Sequence, residues 1–178
     1  MKFPFLVGEK VYLRVLVESD INEEYLSWIN DSEVTKYMRH RAFPTTFEDI
    51  REFIKRNKSP DYIFLAIVHK ETDKHIGNIL LGPIDWVNRL SELSMMIGNK
   101  KYWGKGCMAE AFKLITDHAF NKLNLHKLKA GTEAENESAV KLFKKLGWVQ
   151  EGILKENNFY NGKFHDGILF AIFNKKGI

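Results

Sequence analysis

The sequence predicts an α/β or α+β fold built on one sheet with a mixed strand arrangement. The main observation is the order of its segments, which runs strand, two helices, three strands, helix, strand, helix and two strands. A second observation is size, because 178 residues with 44% hydrophobic content suit one core and leave too little chain for two. We therefore expect a single domain over residues 1–178.

The first third of the chain predicts one strand and two amphipathic helices. Residues 10–16 (KVYLRVL) are rich in β-branched and aromatic side chains and predict the strand. Ser19 and Asp20 are suitable N-caps for the helix that follows. Apolar residues recur at helical spacing in both helices: Ile21, Tyr25, Trp28 and Ile29 in the first, and Phe47, Ile50, Phe53 and Ile54 in the second.

The rest of the chain predicts six strands and two helices. Residues 62–69 and 75–85 predict a hairpin around a polar turn, and residues 90–98 predict the fourth strand of the chain. Further along, the pattern predicts a helix from 108 to about 122, a strand at 126–133, a helix at 137–147 that ends on Gly147, and strands at 148–154 and 164–173.

The composition favours a cytoplasmic protein without a metal centre. The net charge is +4 and the pI about 9.0, a mild surplus that favours an anionic partner but lacks the concentrated basic stripe typical of nucleic-acid binding. The single cysteine, Cys107, excludes a disulfide framework and a multi-cysteine zinc site, and the six histidines lack ligand spacing. No apolar run approaches the roughly 20 residues that span a bilayer, so we expect no membrane segment.

The most informative local pattern is a strand, a turn with two glycines, and an amphipathic helix. We call residues 101–108 (KYWGKGCM) the glycine turn. Backbone N–H groups at a helix start and the positive end of the helix dipole bind phosphate, and Gly104 and Gly106 lack the Cβ atoms that would block close approach. Lys101 and Lys105 add positive charge. The glycine turn therefore predicts a phosphate or pyrophosphate site, the alternative being a tight turn that needs glycine for its backbone alone.

Two familiar phosphate-binding templates fit this turn badly. A Walker loop needs four residues between its first glycine and Gly-Lys, followed by Ser or Thr, whereas five residues separate Gly98 from Gly104 and Gly106 follows Lys105. Gly104, Gly106 and Ala109 match the dinucleotide fingerprint G-x-G-x-x-A. However, antiparallel-looking strands precede the turn and too little chain follows it for a doubly wound nucleotide domain.

A third template is K-x-x-G-x-G at Lys101, Gly104 and Gly106. It resembles the Q/R-x-x-G-x-G/A acetyl-CoA pyrophosphate motif of the GNAT N-acetyltransferase superfamily, with Lys in place of Gln or Arg. The resemblance covers roughly residues 11–173 and points to the branch with ribosomal-protein N-terminal, spermidine and nucleotide-amino-sugar acetyltransferases. It implies one GNAT-like domain whose central sheet is mixed but mostly antiparallel, is splayed between the fourth and fifth predicted strands, and carries helices on both faces.

The resemblance implies that acetyl-CoA lies in that splay, without a metal. Pantetheine would pair with the backbone of Met96, Ile97 and Gly98. The pyrophosphate would lie on the amides from Trp103 to Met108, a stretch that includes Lys105 and Cys107. Asn136 matches an Asn that commonly contacts the cofactor. Ser138 stands where relatives carry Ser or another small residue, and either side chain equally suits an N-cap of the next helix.

The reaction that the resemblance implies is direct attack of a neutral amine on the thioester. Glu92 and Glu133 are the candidate bases by position, the alternative for each being a solvated charge at a strand end. Many family members protonate the leaving thiolate with a Tyr, but that position here is Phe143, an expected cofactor contact that cannot donate a proton. Ser138 or a water would substitute, or the thiolate would leave unassisted. Cys107 would lie in the phosphate cradle, far from the acetyl group, so we expect it to be inert.

The resemblance places the acceptor at the first two predicted helices and the loop between them. This loop is basic, which argues against a polycation and favours a nucleotide-linked amino sugar or another small anionic amine. The residues proposed to bind it are Trp28, Tyr37, Arg39 and Arg41, with Lys36, His40 and Phe43 nearby. The alternatives are that these cations are solvated and that Trp28 belongs to the core.

Three other functions use the same cofactor site. A protein N-terminal acetyltransferase would turn the basic loop toward an acidic peptide or ribosome surface. A polyamine acetyltransferase belongs to the same branch, and a non-catalytic acetyl-CoA sensor would tolerate Phe143. A homodimer is the assembly that the family resemblance suggests.

Overall fold

The computed structural model describes residues 3–38 and 42–175. Within these ranges the chain forms eight strands and four α-helices. The strands are β1 (Leu6–Val7), β2 (Val11–Val15), β3 (Ile63–His69), β4 (Lys74–Asp85), β5 (Leu90–Ile97), β6 (Lys127–Glu133), β7 (Val149–Tyr160) and β8 (Lys163–Phe173). The helices are α1 (Glu23–Asn30), α2 (Phe47–Arg56), α3 (Cys107–Asn121) and α4 (Glu137–Lys145).

All eight strands belong to one sheet in the order β1-β2-β3-β4-β5-β6-β8-β7. Six of the seven neighbouring pairs are antiparallel, and β5 with β6 is parallel. The predicted mixed, mostly antiparallel sheet is therefore confirmed. The short strand β1 was not expected, so the fourth and fifth predicted strands are β5 and β6.

The parallel pair β5 and β6 separates along its length. Pairing covers only Leu90 to Glu92 on β5 and Lys127 to Lys129 on β6, although both strands continue beyond these residues. The later halves of the two strands therefore have no ladder between them. We call this gap the split.

Helices cover both faces of the sheet. Buried residues of α3 and Phe143 of α4 pack against alternate residues of β2 to β6 and β8 in the larger core cluster. Residues of α1 and α2 form a second cluster with Tyr12, Ala66, Val68 and Met96 on the opposite face. Because successive strand residues point to opposite faces, this division assigns each β5 and β6 side chain to one of the two layers.

The start of α1 differs from the prediction. Asn22 caps the helix by accepting a hydrogen bond from the Tyr25 N–H at 3.0 Å, instead of Ser19 or Asp20. The Asp20 carboxylate is buried and forms a bidentate pair with Arg14 at 2.6 and 2.7 Å. Burial would raise the pKa of Asp20, but the hydrogen bonds from Arg14 and the Val17 N–H outweigh it and lower that pKa. A buried carboxylate with such a partner is unavailable as a cap.

Trp28 fixes α1 against the end of β5. A Cβ atom on Gly98 would come within 2.2 Å of the Trp28 ring, so only glycine allows this approach. The ring also meets His75 edge-on, with centroids 5.2 Å apart. The His75 Nε2 lies 2.9 Å from both the Gly77 carbonyl and the Asn78 Oδ1, and burial lowers the pKa of this imidazole. The contact anchors the α1 layer beside the split.

None of the helices among residues 3–38 and 42–175 combines the length and the apolar character needed to cross a membrane.

Candidate active site

Backbone groups along the second half of β5 are divided between β4 and the split. The Gly98 N–H donates to the Ile76 carbonyl at 2.9 Å, and hydrogen-bonding residues alternate along an antiparallel pair. The polar groups of Met96 and Gly98 therefore face β4, and those of Met95 and Ile97 face the split. Of the three residues expected to pair with pantetheine, Ile97 is thus the one with its backbone toward the split.

The glycine turn joins the end of β5 to the start of α3. The Trp103 Nε1 donates a hydrogen bond to the Ile97 carbonyl at 2.7 Å, which ties the turn to the strand. Gly104 and Gly106 have φ of +70° and +83°, the left-handed region that favours glycine. Both glycines are therefore required by the backbone path, in addition to any need for close approach by a ligand.

The start of α3 is open and uncapped by a side chain. Gly106 occupies the N-cap position without a side-chain hydrogen bond, so the first N–H groups of α3 lack a capping side chain. A Cβ atom on Gly104 would meet nothing within 4 Å, and the side chains of Lys101 and Lys105 are exposed. An open helix start with two left-handed glycines and two cations suits a pyrophosphate group.

Cys107 is the first residue of α3 but is not poised for reaction. It is buried, at 1% exposure, in the core cluster beneath α3. Burial raises the pKa of its thiol, although Lys10 and Lys105 act in the opposite direction. The thiol is therefore neutral near pH 7, in line with the expectation that it is inert.

Glu92 and Glu133 project from the same face of the sheet on the two sides of the split. Leu93 and Ile97 of β5 pack in the α3 layer, so the alternating residues Glu92 and Met96 point to the α1 face. Leu128 and Ala130 of β6 likewise face α3, which places Glu133 on the α1 face. Glu92 is exposed, whereas Glu133 is 3% exposed.

Three segments meet at the end of β6. The Tyr37 hydroxyl, from the loop after α1, donates to the Glu135 carbonyl at 3.3 Å. The Glu135 carboxylate lies 2.7 Å from Nδ1 of the buried His165, whose Nε2 donates to the Tyr160 carbonyl at 3.0 Å. We call Tyr37, Glu133, Glu135 and His165 the β6-end cluster, because they join the α1–α2 loop, β6 and the β7–β8 hairpin on the α1 face.

Phe143, at the position of the expected general acid, lies in the core. It is 5% exposed and stacks on Phe170 with centroids 4.9 Å and planes 22° apart. Phe112 and Trp148 contact it edge-on or at a tilt. This packing argues against the expected cofactor contact through the Phe143 ring.

Asn136 and Ser138 are both engaged at the start of α4. The Asn136 Oδ1 accepts hydrogen bonds from the Ala139 N–H at 3.3 Å and from the Ser138 hydroxyl at 2.9 Å. The capping interpretation therefore holds for Asn136. The amide nitrogen of Asn136 is separate from these two bonds, so capping leaves a donor for a ligand.

The residues expected to bind the acceptor differ in burial and in their contacts. Trp28 is buried at 6% exposure, as the core interpretation of its helical spacing predicts. Tyr37 is half-buried and belongs to the β6-end cluster, with the Lys36 Nζ 4.9 Å from its ring centroid. Arg39 and Arg41 lie outside the described residues. Within residues 3–38 and 42–175, no three His, Cys, Asp or Glu side chains are grouped to hold a metal.

Sequence reasoning missed four residues at or beside this site. Glu135 and His165 become neighbours only through the pairing of β6 with β8. Lys10 and Glu110 contact the glycine turn and the β1–β2 turn, about 100 residues apart in sequence. Glu110 resembles an ordinary acidic residue in the first turn of a helix, so the sequence carries no signal for its long-range contacts.

Comparisons with known proteins agree on one family. The model of a family described as an acetyltransferase (GNAT) domain matches residues 10–149. A Bacillus licheniformis protein named uncharacterized N-acetyltransferase p20 is 30% identical over 175 residues, which cover 96% of this chain and 97% of that protein. The spermidine N(1)-acetyltransferase of Escherichia coli strain K12 is 38% identical over 97 residues, 54% of this chain and 52% of that enzyme.

A solved structure extends the agreement to the whole fold. It is a spermidine N-acetyltransferase from Vibrio cholerae in complex with CoA and spermine, with a TM-score of 0.85 and 25% identity. The superposition covers 95% of this chain and 98% of that one. The chain belongs to the GNAT acetyltransferase family, and it is an acetyl-CoA-dependent N-acetyltransferase.

Proposed function

We propose that this protein acetylates a primary amine on a small molecule by direct attack within a ternary complex. The acceptor that we propose first is a nucleotide-linked amino sugar or another small anionic amine. The observation that carries the reaction is the split: it joins a glycine turn suited to pyrophosphate with two carboxylates, Glu92 and Glu133, that flank it on the α1 face.

Residues of the glycine turn and β5 would hold the cofactor. The N–H groups from Gly104 to Met108 are suited to the pyrophosphate, with Lys101 and Lys105 beside it. The Trp103 N–H, which the sequence placed in the same set, already donates to the Lys100 carbonyl at 3.1 Å. The N–H of Ile97 and the backbone of Met95, two residues earlier, face the split and are proposed to pair with the pantetheine arm, because the Ile97 carbonyl already accepts from the Trp103 Nε1. The amide nitrogen of Asn136, at the start of α4 after β6, provides a further hydrogen-bond donor. Acetyl-CoA supplies a thioester that an amine can attack without a metal.

The protein residues would then stabilise one developing negative charge and transfer two protons. A backbone N–H of β5 facing the split would stabilise the charge that develops on the carbonyl oxygen. Glu133 or Glu92 would accept a proton from the acceptor ammonium, directly or through a water. The C–N bond forms as the C–S bond breaks. The second proton lost by the nitrogen passes through the Ser138 hydroxyl or a water to the departing thiolate, since Phe143 cannot carry a proton.

Two features bear on the acceptor. The α1–α2 loop carries Lys36 in the described part, and Arg39 and Arg41 beyond it, which favours an anionic acceptor. Tyr37 offers an aromatic ring beside these charges. Against this, Glu133 and Glu135 lie at the end of β6, and relatives of this chain are named spermidine acetyltransferases, so a polyamine is the second candidate. The Glu135 carboxylate already has a partner in the Nδ1 of His165, so it is not free to bind a polycation.

A turnover panel separates these acceptors. The purified chain is incubated with acetyl-CoA and, separately, nucleotide amino sugars, free amino sugars, polyamines, and peptides that start with Ala or Ser, and thiol release is measured. The proposal predicts the highest kcat/KM with a nucleotide amino sugar. Preference for spermidine would overturn the acceptor class, and preference for peptides would indicate a protein N-terminal acetyltransferase. Binding of acetyl-CoA without thiol release from any of them would indicate a sensor.

The setting of the reaction is also a proposal. A cytoplasmic location is supported by the one cysteine, which is buried and unpaired with another. A homodimer stays a prediction from the family, and size-exclusion chromatography with light scattering tests it.

A further inference from the structure

Two charged side chains join the β1–β2 turn to the glycine turn and to the start of α3. The Lys10 Nζ donates to the Lys105 carbonyl at 2.9 Å and would lie 3.3 Å from a Cβ atom on Gly106. The Glu110 carboxylate, from the first turn of α3, accepts hydrogen bonds from the N–H groups of Glu9, Lys10 and Val11 at 2.6, 2.8 and 2.8 Å. Four hydrogen bonds thus join segments about 100 residues apart.

The bond from Lys10 sets the direction of one peptide group. In a planar trans peptide the C=O and the following N–H point in opposite directions. Because Lys10 holds the Lys105 carbonyl on its own side of the turn, the Gly106 N–H must point to the other side. Lys10 therefore acts through the backbone of the turn.

This peptide group is otherwise easy to rotate. Gly104 and Gly106 both have left-handed φ, and glycine passes between left- and right-handed regions at little cost. A Cβ atom built on Gly104 would meet nothing within 4 Å, so packing does not restrain this part of the turn, and the bond from the Trp103 Nε1 to the Ile97 carbonyl holds its start. A glycine turn that must present its N–H groups to one ligand therefore needs a restraint from outside the turn.

Glu110 supplies the second half of that restraint. Three charge-assisted hydrogen bonds hold the backbone from Glu9 to Val11 against α3, which places the Lys10 side chain over the turn. The fit is close, since a Cβ atom on Gly8 would come within 2.6 Å of the Glu110 carboxyl carbon. The same three bonds hold the Glu110 carboxylate toward the β1–β2 turn and away from the anion site at the start of α3.

We propose that Lys10 and Glu110 are positioning residues that lock the Lys105–Gly106 peptide in the orientation that binds the cofactor pyrophosphate. This inference rests on the proposed placement of the pyrophosphate at the glycine turn. Neither side chain takes part in the chemistry, so loss of the lock weakens cofactor binding and leaves the rate of acetyl transfer from the bound complex unchanged.

The test compares Lys10→Met and Glu110→Gln with Lys70→Met as the matched control. Lys70 lies beside the same turn and donates to the Gly8 carbonyl at 3.0 Å, so its loss removes the same charge without touching the glycine turn. Calorimetry measures the Kd for acetyl-CoA, and kinetics compares acetyl-CoA with acetyl-pantetheine, which lacks the pyrophosphate. We expect Lys10→Met and Glu110→Gln to weaken acetyl-CoA binding about tenfold, the value of one charge-assisted hydrogen bond.

The lock further predicts that kcat/KM with acetyl-pantetheine stays at the wild-type value in all three variants, and that Lys70→Met binds acetyl-CoA normally. An unchanged Kd in Lys10→Met overturns the lock, as does an equal loss with acetyl-pantetheine, which would indicate general damage to the fold. An equal loss in Lys70→Met also overturns it, because charge alone would then explain the effect.

The calorimetric measurement of acetyl-CoA binding does not require the protein to acetylate an acceptor. If the wild type binds acetyl-CoA, acetylates no acceptor, and loses tenfold in affinity on Lys10→Met, the lock is supported and the proposed reaction fails. A wild type that binds no acetyl-CoA overturns both.

Discussion

The cofactor side and the acceptor side of the split are built in different ways. On the cofactor side, the groups proposed to bind the pyrophosphate are backbone N–H groups of one contiguous stretch of sequence, and Lys10 is a restraint that reaches this stretch from a distant segment. On the acceptor side, the β6-end cluster gathers side chains from the α1–α2 loop, β6 and β8. The first kind of site is formed mainly by local conformation, and the second is formed by the packing of distant segments. The cofactor side can therefore be inferred largely from a short stretch of sequence, whereas the acceptor side becomes visible in the folded chain.

The largest expected effect is on the cofactor side, from Gly104→Asp. A carboxylate in the phosphate cradle repels the pyrophosphate, and like charges in contact cost several kcal/mol, so we expect acetyl-CoA affinity to fall about 100-fold or more. Isothermal titration calorimetry measures it.

Gly147→Asp is the matched control for that change. Gly147 has φ of +80° and, like Gly104, would have open space around an added Cβ atom, but it lies at the end of α4. It therefore carries the same backbone strain and charge without the cradle. Similar Kd values for the two variants would show that strain, and not the phosphate site, explains the loss.

The second prediction concerns the chemistry between the two sides. Glu133→Gln keeps the shape of this buried side chain but removes its capacity as a base, so we expect kcat to fall about 100-fold or more with the acetyl-CoA Kd unchanged. Stopped-assay kinetics at saturating acetyl-CoA provide kcat. If Glu133→Gln keeps full kcat while Glu92→Gln loses it, the exposed carboxylate is the base instead.

A smaller effect is expected from Tyr37→Phe on the acceptor side. This change removes the hydroxyl that joins the α1–α2 loop to Glu135, a neutral hydrogen bond worth about 1 kcal/mol. We expect the acceptor KM to rise about fivefold, with the acetyl-CoA Kd unchanged. A change in the acetyl-CoA Kd of the same size would mean that the two sides are not separable in the way described above.

The smallest effect is a pH dependence of stability that arises beside the split. His75 is held neutral by burial and faces Asp20, Arg14, Asn78 and the rings of Tyr25 and Trp28. Because its folded pKa is lowered, the unfolded chain binds a proton first as pH falls below the ordinary His range near 6.5. The contribution of neutral His75 to folding stability is therefore fully present above that range and decreases below it.

The comparison that tests this is thermal melting between pH 7 and pH 5. Wild type is expected to lose more Tm across this interval than His75→Gln, which has no titrating ring. Equal slopes in the two proteins would assign the acid sensitivity to other groups.

The contrast between the cofactor side and the acceptor side also explains which features of the fold the sequence could predict. Seven of the eight strands and all four helices follow from hydrophobic periodicity, and the glycine turn follows from spacing. The two-residue β1 is too short to leave a pattern. Ser19 and Asp20 were wrong as caps, because the pair of Asp20 with Arg14 is a tertiary contact that local propensity does not include.

Residue roles were harder to predict wherever packing decides them. The substitution of Phe for Tyr at position 143 was visible in the sequence, but its stacking on Phe170 depends on the fold. Trp28 had the spacing of a core residue and also a ring that could stack on a substrate, and its burial against Gly98 and His75 in the fold favours the core. Lys10 and Glu110 carry no sequence signal, because their hydrogen bonds connect segments about 100 residues apart.

A crystal structure with bound CoA tests the central claim most directly. We predict the pyrophosphate on the N–H groups from Gly104 to Met108, the pantetheine along Met95 and Ile97 in the split, and the sulfur opening to the face that carries Glu92 and Glu133. CoA bound outside the split, or with its sulfur on the α3 face, would contradict the account.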